Sequence, residues 1–177
     1  GCLQKLVDWL LSAGYTQLYI LDNASTYQPL LNYYRLLEER GVKVLYLRQN
    51  MGYKALWKSN ILEILQVATP YVYTDSDVVP GKRCPDDLVR HLLKDLQTYP
   101  YLKKAGCALA YEDITFYGAE EIRKKEAGFY DIALEKEVYF AAVDTTFALY
   151  RNYHHYSLYE AARVGGRITA RHLPWYY

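Results

Sequence analysis

Two carboxylates one residue apart, Asp75 and Asp77, end the apolar and aromatic run Tyr71-Val72-Tyr73-Thr74. Acids this close repel one another unless a cation lies between them. Hard oxygen ligands suit Mg²⁺ or Mn²⁺, ions that commonly stay bound to substrate phosphates as well. In a strand, positions i and i+2 face the same side; where the strand gives way to a loop, both acids still lie within one ion's reach. The pattern predicts a metal-diphosphate site at the carboxyl end of a central strand, the usual ligand crevice of open α/β sheets. An isolated Asp-x-Asp also arises as a solvated turn, so the surrounding elements decide its weight.

Leu3, Leu6, Val7, Leu10 and Leu11 recur at helical spacing, with Gly14 as the stop. A strand over residues 17–21 then runs into Asp22-Asn23-Ala24-Ser25-Thr26, small and hydroxylated residues that suit a turn and a helix cap. A helix from Pro29 to Gly41 follows, then a strand over 42–47 closed by Arg48-Gln49-Asn50-Met51-Gly52. Ala55, Leu56, Ile61, Ile64 and Leu65 predict one more helix before Pro70 and the Asp75 strand. Helix, strand, helix, strand, helix, strand is the order of a parallel α/β arrangement, and its strand ends carry Asp22, Asn50 to Gly52, and Asp75 to Asp77. Further on, Asp86-Asp87 leads a helix through Leu96, and residues 105–110 read as a strand. The charged stretch 111–137 predicts a helix or two. Residues 139–151 predict a strand with an acidic bend at Asp144. A Tyr- and His-rich helix over 153–163, a turn at Gly165-Gly166 and a short strand over 168–172 complete the pattern.

A chain of 177 residues is one domain by size, here spanning 1–177, and 51% hydrophobic with 23% charged residues is ordinary for a globular protein. A net charge of +1 gives no electrostatic case for nucleic acid or an anionic membrane. The widely spaced Cys2, Cys84 and Cys107 fit neither a disulfide framework nor a zinc cluster, which points to reduced thiols and a cytoplasmic compartment. No apolar run reaches the ~18–20 residues of a membrane span.

With these segments assembled, the chain resembles a nucleotide-sugar glycosyltransferase of the GT-A fold, in the large family 2 group. The matching stretches are Ile20 to Thr26, Asn50-Met51-Gly52, Tyr73 to Asp77 and Asp144-Thr145-Thr146-Phe147-Ala148-Leu149-Tyr150-Arg151. The end, Thr169 to Tyr176, looks like that of a bacterial subgroup. The resemblance implies an α/β, Rossmann-like three-layer fold with a mostly parallel central sheet. It also implies that the family's first strand is missing from the start of the chain.

By the same resemblance, Asp22, with Asn23 and Ser25 beside it, recognises the base, and Asn50 and Gly52 lie near the nucleoside. Asp75 stands near the ribose and the ion, Asp77 is a direct metal ligand, and His172 is a late ligand for metal or diphosphate. Lys54 or Lys58 can neutralise phosphate, though both also suit solvated helix positions. An inverting transfer needs a general base for the acceptor hydroxyl. Asp144 is the first candidate, with Glu112 and Asp113 behind it, although Asp144 also reads as a turn acid beside Thr145 and Thr146. His154 and His155 read as surface or packing residues. The implied ligands are Mn²⁺ or Mg²⁺ and a nucleotide-diphosphate sugar, with UDP-sugars as the default. The implied acceptor is a carbohydrate or lipid-linked hydroxyl in surface polysaccharide or lipopolysaccharide synthesis, at the inner face of the membrane.

Two other readings stay open. Asp75-Ser76-Asp77-Val78-Val79 also resembles the nucleophile motif of haloacid-dehalogenase phosphatases, but that motif normally opens the first strand of its chain. The other is a GT-A-like module that binds sugar nucleotides or a partner without catalysis.

Overall fold

The computed structural model describes residues 1–116, 118–151 and 155–176. The span expected as one domain contains two compact units. Among the described residues, one is made of 1–13, 68–116, 118–151 and 157–176; the other is made of residues 14–67, with His155 and Tyr156. Helix α1 (Cys2–Ser12) belongs to the first unit. Its Leu6, Trp9 and Leu10 meet that unit's apolar core, and the Trp9 ring stands edge-on to Phe147 at 6.2 Å.

In the second unit, β1 (Tyr19–Asp22) and β2 (Lys43–Tyr46) pair in parallel, with Asp22 opposite Tyr46. The crossover between them is α2 (Gln28–Glu39), which begins with Pro29 in its first turn as its sequence predicts. Tyr34 and Leu37 bury its inner face. Gly41, at φ +85°, makes the left-handed step back into β2. The helix expected from Ala55 to Leu65 is broken into α3 (Ala55–Lys58) and α4 (Ile61–Ile64). Asn60 interrupts it in the left-handed region at φ 54°, a conformation Asn tolerates better than most residues.

The first unit holds a seven-stranded sheet. Its strands are β3 (Tyr71–Tyr73), β4 (Val78–Pro80), β5 (Lys104–Leu109), β6 (Ala133–Glu135), β7 (Val138–Phe140), β8 (Ala148–Tyr150) and β9 (Ala161–His172). The order is β3-β8-β5-β9-β7-β6, with β4 on β9. Only the β5–β9 pairing is parallel, so this sheet is mixed and mostly antiparallel, not mostly parallel as expected. The helix–strand alternation that implies parallel pairing already breaks between β3 and β4, which follow one another with no helix between them. After α6 (Ala119–Ala127) the strands β6 to β9 follow without another α-helix among the described residues; a short return makes the β6–β7 hairpin, and the other antiparallel pairs join strands distant in the chain.

Three local expectations also change. The charged stretch 111–137 yields α6 but also β6, which forms a hairpin with β7. The strand expected over 139–151 divides into β7 and β8, with Asp144 on the loop between them. The helix expected over 153–163 is absent among its described residues; residues 152–154 lie outside the described part, and His154 with them. Instead Ala161 to His172 is one strand, and Gly165-Gly166 is a bulge inside it. The register against β5 jumps from Val164 opposite Cys107 to Thr169 opposite Ala108, and Gly166 takes φ +63°. Ala161-Ala162-Arg163-Val164 is buried throughout, and a short buried run does not reveal by periodicity whether it is strand or helix.

Helix α5 (Leu88–Thr98) lays Leu88, Leu92 and Leu96 into the core against Ala105, Cys107 and Leu149. Gly106 on β5 lets the β7–β8 loop come close. A Cβ there would lie 2.7 Å from Val143 and 2.8 Å from Ala148. Arg151, just past β8, ties the end of α5 by donating from Nε to the Leu102 carbonyl at 2.6 Å and from its guanidinium to the carbonyl of Leu96. The three cysteines are unpaired, and Cys84 and Cys107 are buried. No helix among the described residues is long and apolar enough to cross a membrane.

Candidate functional site

Strand β3 stops at Tyr73, so Asp75 and Asp77 lie on a turn and not on a continuing strand. The Val78 N–H closes this turn on the Asp75 carbonyl at 3.2 Å. Two neighbours fix it. On one side is the β7–β8 loop: the Asp75 N–H donates to the Thr145 carbonyl at 2.8 Å, and the Thr145 hydroxyl donates to Asp75 Oδ2 at 2.5 Å. That loop is itself held to β5, where the Cys107 N–H donates to the Phe147 carbonyl at 2.9 Å. On the other side, the β4–β9 register sets Val78 opposite His172, which brings the residue before Val78 beside the imidazole. His172 Nε2 is 3.5 Å from Asp77 Oδ2, and the Leu173 N–H donates to the Asp77 carbonyl at 2.8 Å. His172 Nδ1 is buried and has no hydrogen-bond partner among the described residues.

The charges agree with this geometry. Lost hydration holds the Asp75 carboxyl above the usual carboxylate range; the Thr145 hydroxyl opposes this, the charges of Asp77 and Asp144 add to it, and His172 opposes it. Burial, with Asp75 beside it, pushes the Tyr73 phenol up to about 12. Negative charge is therefore concentrated at this rim. Among the described residues no three His, Cys, Asp or Glu side chains gather closely enough to hold a metal ion by themselves. What Asp75, Asp77 and His172 form is an open rim. It would leave most of a cation's coordination to water and phosphate, as Mg²⁺ sites usually do.

No family model matches this chain, and no curated protein matches it.

The three candidates for general base fall in different settings. Asp144 is exposed on the β7–β8 loop, and its charge acts on Asp75, Lys104 and Arg163. Asp113 lies elsewhere, after β5: it pairs with Arg171 and accepts from the Tyr176 hydroxyl at 3.1 Å. Glu112 is exposed and accepts the N–H of Tyr111 at 3.2 Å.

In the second unit the predicted nucleotide residues do gather. Asp22 is buried; its Oδ2 accepts the Ser25 N–H and its Oδ1 the Tyr34 hydroxyl, each at 3.0 Å. Asn23 bridges to the loop after β2. It accepts the Met51 N–H at 2.7 Å and donates to Asn50 Oδ1 at 3.0 Å and the Gly52 carbonyl at 3.1 Å. Asn50 Oδ1 also accepts the Gly52 N–H at 2.8 Å, and Gly52 takes φ +74°. Gln49, Asn50, Met51 and Lys58 line an open hollow of about 360 Å³. Lys54 lies over the Tyr53 and Tyr156 rings, 5.3 and 4.8 Å from their centroids, and Lys58 Nζ donates to the Met51 carbonyl at 3.3 Å.

Three buried charges near the first unit's site were not anticipated. Arg163 pairs with Glu126 of α6, donates from Nη1 to the Ala142 carbonyl at 3.0 Å and lies over the Phe129 ring at 4.2 Å. Lys104 is fully buried; its Nζ donates to the Tyr150 hydroxyl at 3.3 Å, and loss of water lowers its pKa to about 8 against the pull of Asp144. In the sequence Arg163 sits within the apolar stretch Ala161 to Val164, and that lone charge was the available signal; Lys104 follows Lys103, and the pair gave none.

Proposed function

We propose that this chain is a metal-dependent glycosyltransferase of the GT-A fold, moving a sugar from a nucleotide-diphosphate sugar to an acceptor hydroxyl. The observation that carries the reading is the Asp75–Asp77 turn. Its two acids share one rim with His172, and the Asp75 carboxyl is destabilised as a charge by its surroundings. Such a rim favours a divalent cation that also grips a diphosphate, and Mn²⁺ or Mg²⁺ bound there would act as a Lewis acid on the leaving group. Asp77 and Asp75 would supply its carboxylate ligands, and His172 either a ligand or a donor toward the diphosphate. The chain's own contribution is preorganisation, since the turn is fixed from both sides before any ligand arrives. Asp144, exposed beside Asp75, is the group we assign to take the acceptor proton in an inverting transfer. Asp22, Asn23, Ser25, Asn50, Gly52 and Lys54 carry the nucleoside side of this reading, with a UDP-sugar as the first donor to try. The acceptor is a carbohydrate or lipid-linked hydroxyl, used at the cytoplasmic face of a bacterial membrane.

The test is UDP release from a panel of UDP-sugars, with and without Mn²⁺. Turnover should require the cation and fall by about 10²-fold or more in Asp77→Ala, the scale seen when transition-state charge loses its stabiliser, while the thermal midpoint stays unchanged. Equal turnover in Asp77→Ala, or no cation dependence, refutes the reading.

A further inference from the structure

We propose that Thr145 is the positioning residue of the cation site, holding Asp75 in the one orientation that offers its free oxygen Oδ1 to the metal. The inference rests on the reading of Asp75 and Asp77 as metal ligands, and goes beyond it by assigning a role to a residue 70 positions away in the chain.

A carboxylate on an exposed turn rotates freely unless something holds it. Asp75 is held at two points by the same residue: its backbone N–H by the Thr145 carbonyl at 2.8 Å, and its Oδ2 by the Thr145 hydroxyl at 2.5 Å. Two contacts from one partner fix both the main chain and the side chain, and no rotation about χ1 of Asp75 keeps the second. Oδ2 is thereby engaged, and Oδ1 is the oxygen left for a cation. Thr145 can serve as this anchor because it is itself immobile. It is buried, its β-branched side chain has few rotamers, and its loop is bonded to β5 through Phe147 and Cys107. Gly106 keeps that loop close, since any larger residue would press on Val143 and Ala148. Ligating carboxylates are commonly oriented by such partners, and removing one costs roughly 10–100-fold in metal affinity.

The experiment is a Mn²⁺ titration of the full chain followed by the electron paramagnetic resonance of the free ion. The proteins are wild type, Thr145→Val, Thr145→Ser, Asp75→Ala and the double variant Thr145→Val with Asp75→Ala. Thr145→Val keeps the shape and removes the donor, so affinity should fall by about 10–100-fold. Thr145→Ser restores the donor and should recover most of the affinity, which a purely structural role for Thr145 would not require. In the Asp75→Ala background the valine should have no further effect, because its target is gone. If Thr145→Val proves unfolded by circular dichroism, the serine variant and Thr145→Ala decide the matter: serine must bind Mn²⁺ more tightly than alanine at matched folding. Wild-type affinity in a folded Thr145→Val or Thr145→Ala overturns the positioning role and leaves the metal-site reading standing. No Mn²⁺ binding by the wild type overturns both.

Discussion

Replacing Arg163 by Met separates the cost of a buried charge from the cost of a lost contact. Arg163 and Glu126 are 3% and 4% exposed, and their pairing joins β9 to α6. Burial outweighs attraction on both sides: the Glu126 carboxyl stands above its ordinary 4.5 despite the arginine, and the guanidinium is pushed below its ordinary value. The pair is therefore a weak stabiliser as a pair, yet removing one partner leaves the other charge stranded. That costs about 3–5 kcal/mol. Without Arg163, the Glu126 carboxyl holds its proton more tightly still, and every tenfold gain in proton affinity is worth about 1.4 kcal/mol. A raised acid contributes stability that is present below its unfolded pKa and is lost as pH rises through its folded pKa. The deficit of Arg163→Met should thus be largest near pH 8 and shrink steadily toward about pH 4.5, where the protonated carboxyl no longer needs a counter-ion. Urea unfolding of both proteins at several pH values, followed by tryptophan fluorescence, measures this difference. A second change, Glu126→Leu, should return most of the loss, because two apolar residues replace the pair without stranding either charge. A deficit under about 1 kcal/mol, or one that does not change with pH, refutes the reasoning.

Two further outcomes follow from the same packing. Gly106→Ala should destabilise by about 1–3 kcal/mol, as overpacking does, because its Cβ meets Val143 and Ala148 inside 3 Å; chemical denaturation checks this, and Mn²⁺ affinity should fall with it through the Thr145 loop. Asp95→Asn should stabilise the protein above about pH 6 and do little near pH 4, since burial and then Glu135 raise the Asp95 carboxyl to about 6 and its charged form is the costly one; an unchanged thermal midpoint at pH 8 contradicts this.

The sequence made legible what depends on near neighbours. The helix with Pro29 in its first turn and the bend at Asp144 rest on residues within one or two turns of each other, and the parallel β1–β2 crossover on the helix that lies between two short strands. What it hid depends on distant partners. Strand direction in the large sheet is one case: β3 and β5 both pair antiparallel to β8, and nothing in Tyr71-Val72-Tyr73 states which neighbour it will take. β9 is another, because Gly165-Gly166 reads locally as the end of an element. Only the slipped register against Cys107 and Ala108 makes it a bulge. The nucleotide candidates show a third limit. Both Asp22 oxygens accept hydrogen bonds, from Ser25 and from Tyr34, partners that residue type alone does not convey.

The arrangement of charge around the β7–β8 loop gives the candidate site a direction. Three acids, Asp75, Asp77 and Asp144, share the rim, but the surroundings treat them unequally. Asp75 is opposed by lost hydration and by the other two acids, which favours a cation in front of it. Asp144 instead acts on Lys104 and Arg163, two buried cations whose charged forms its negative charge supports. Neutralising Asp144 would therefore relieve Asp75 and at the same time weaken the hold on both buried cations. These effects oppose one another at the rim and in the core. The same carboxylate that disfavours charge on Asp75 favours the charged forms of Lys104 and Arg163.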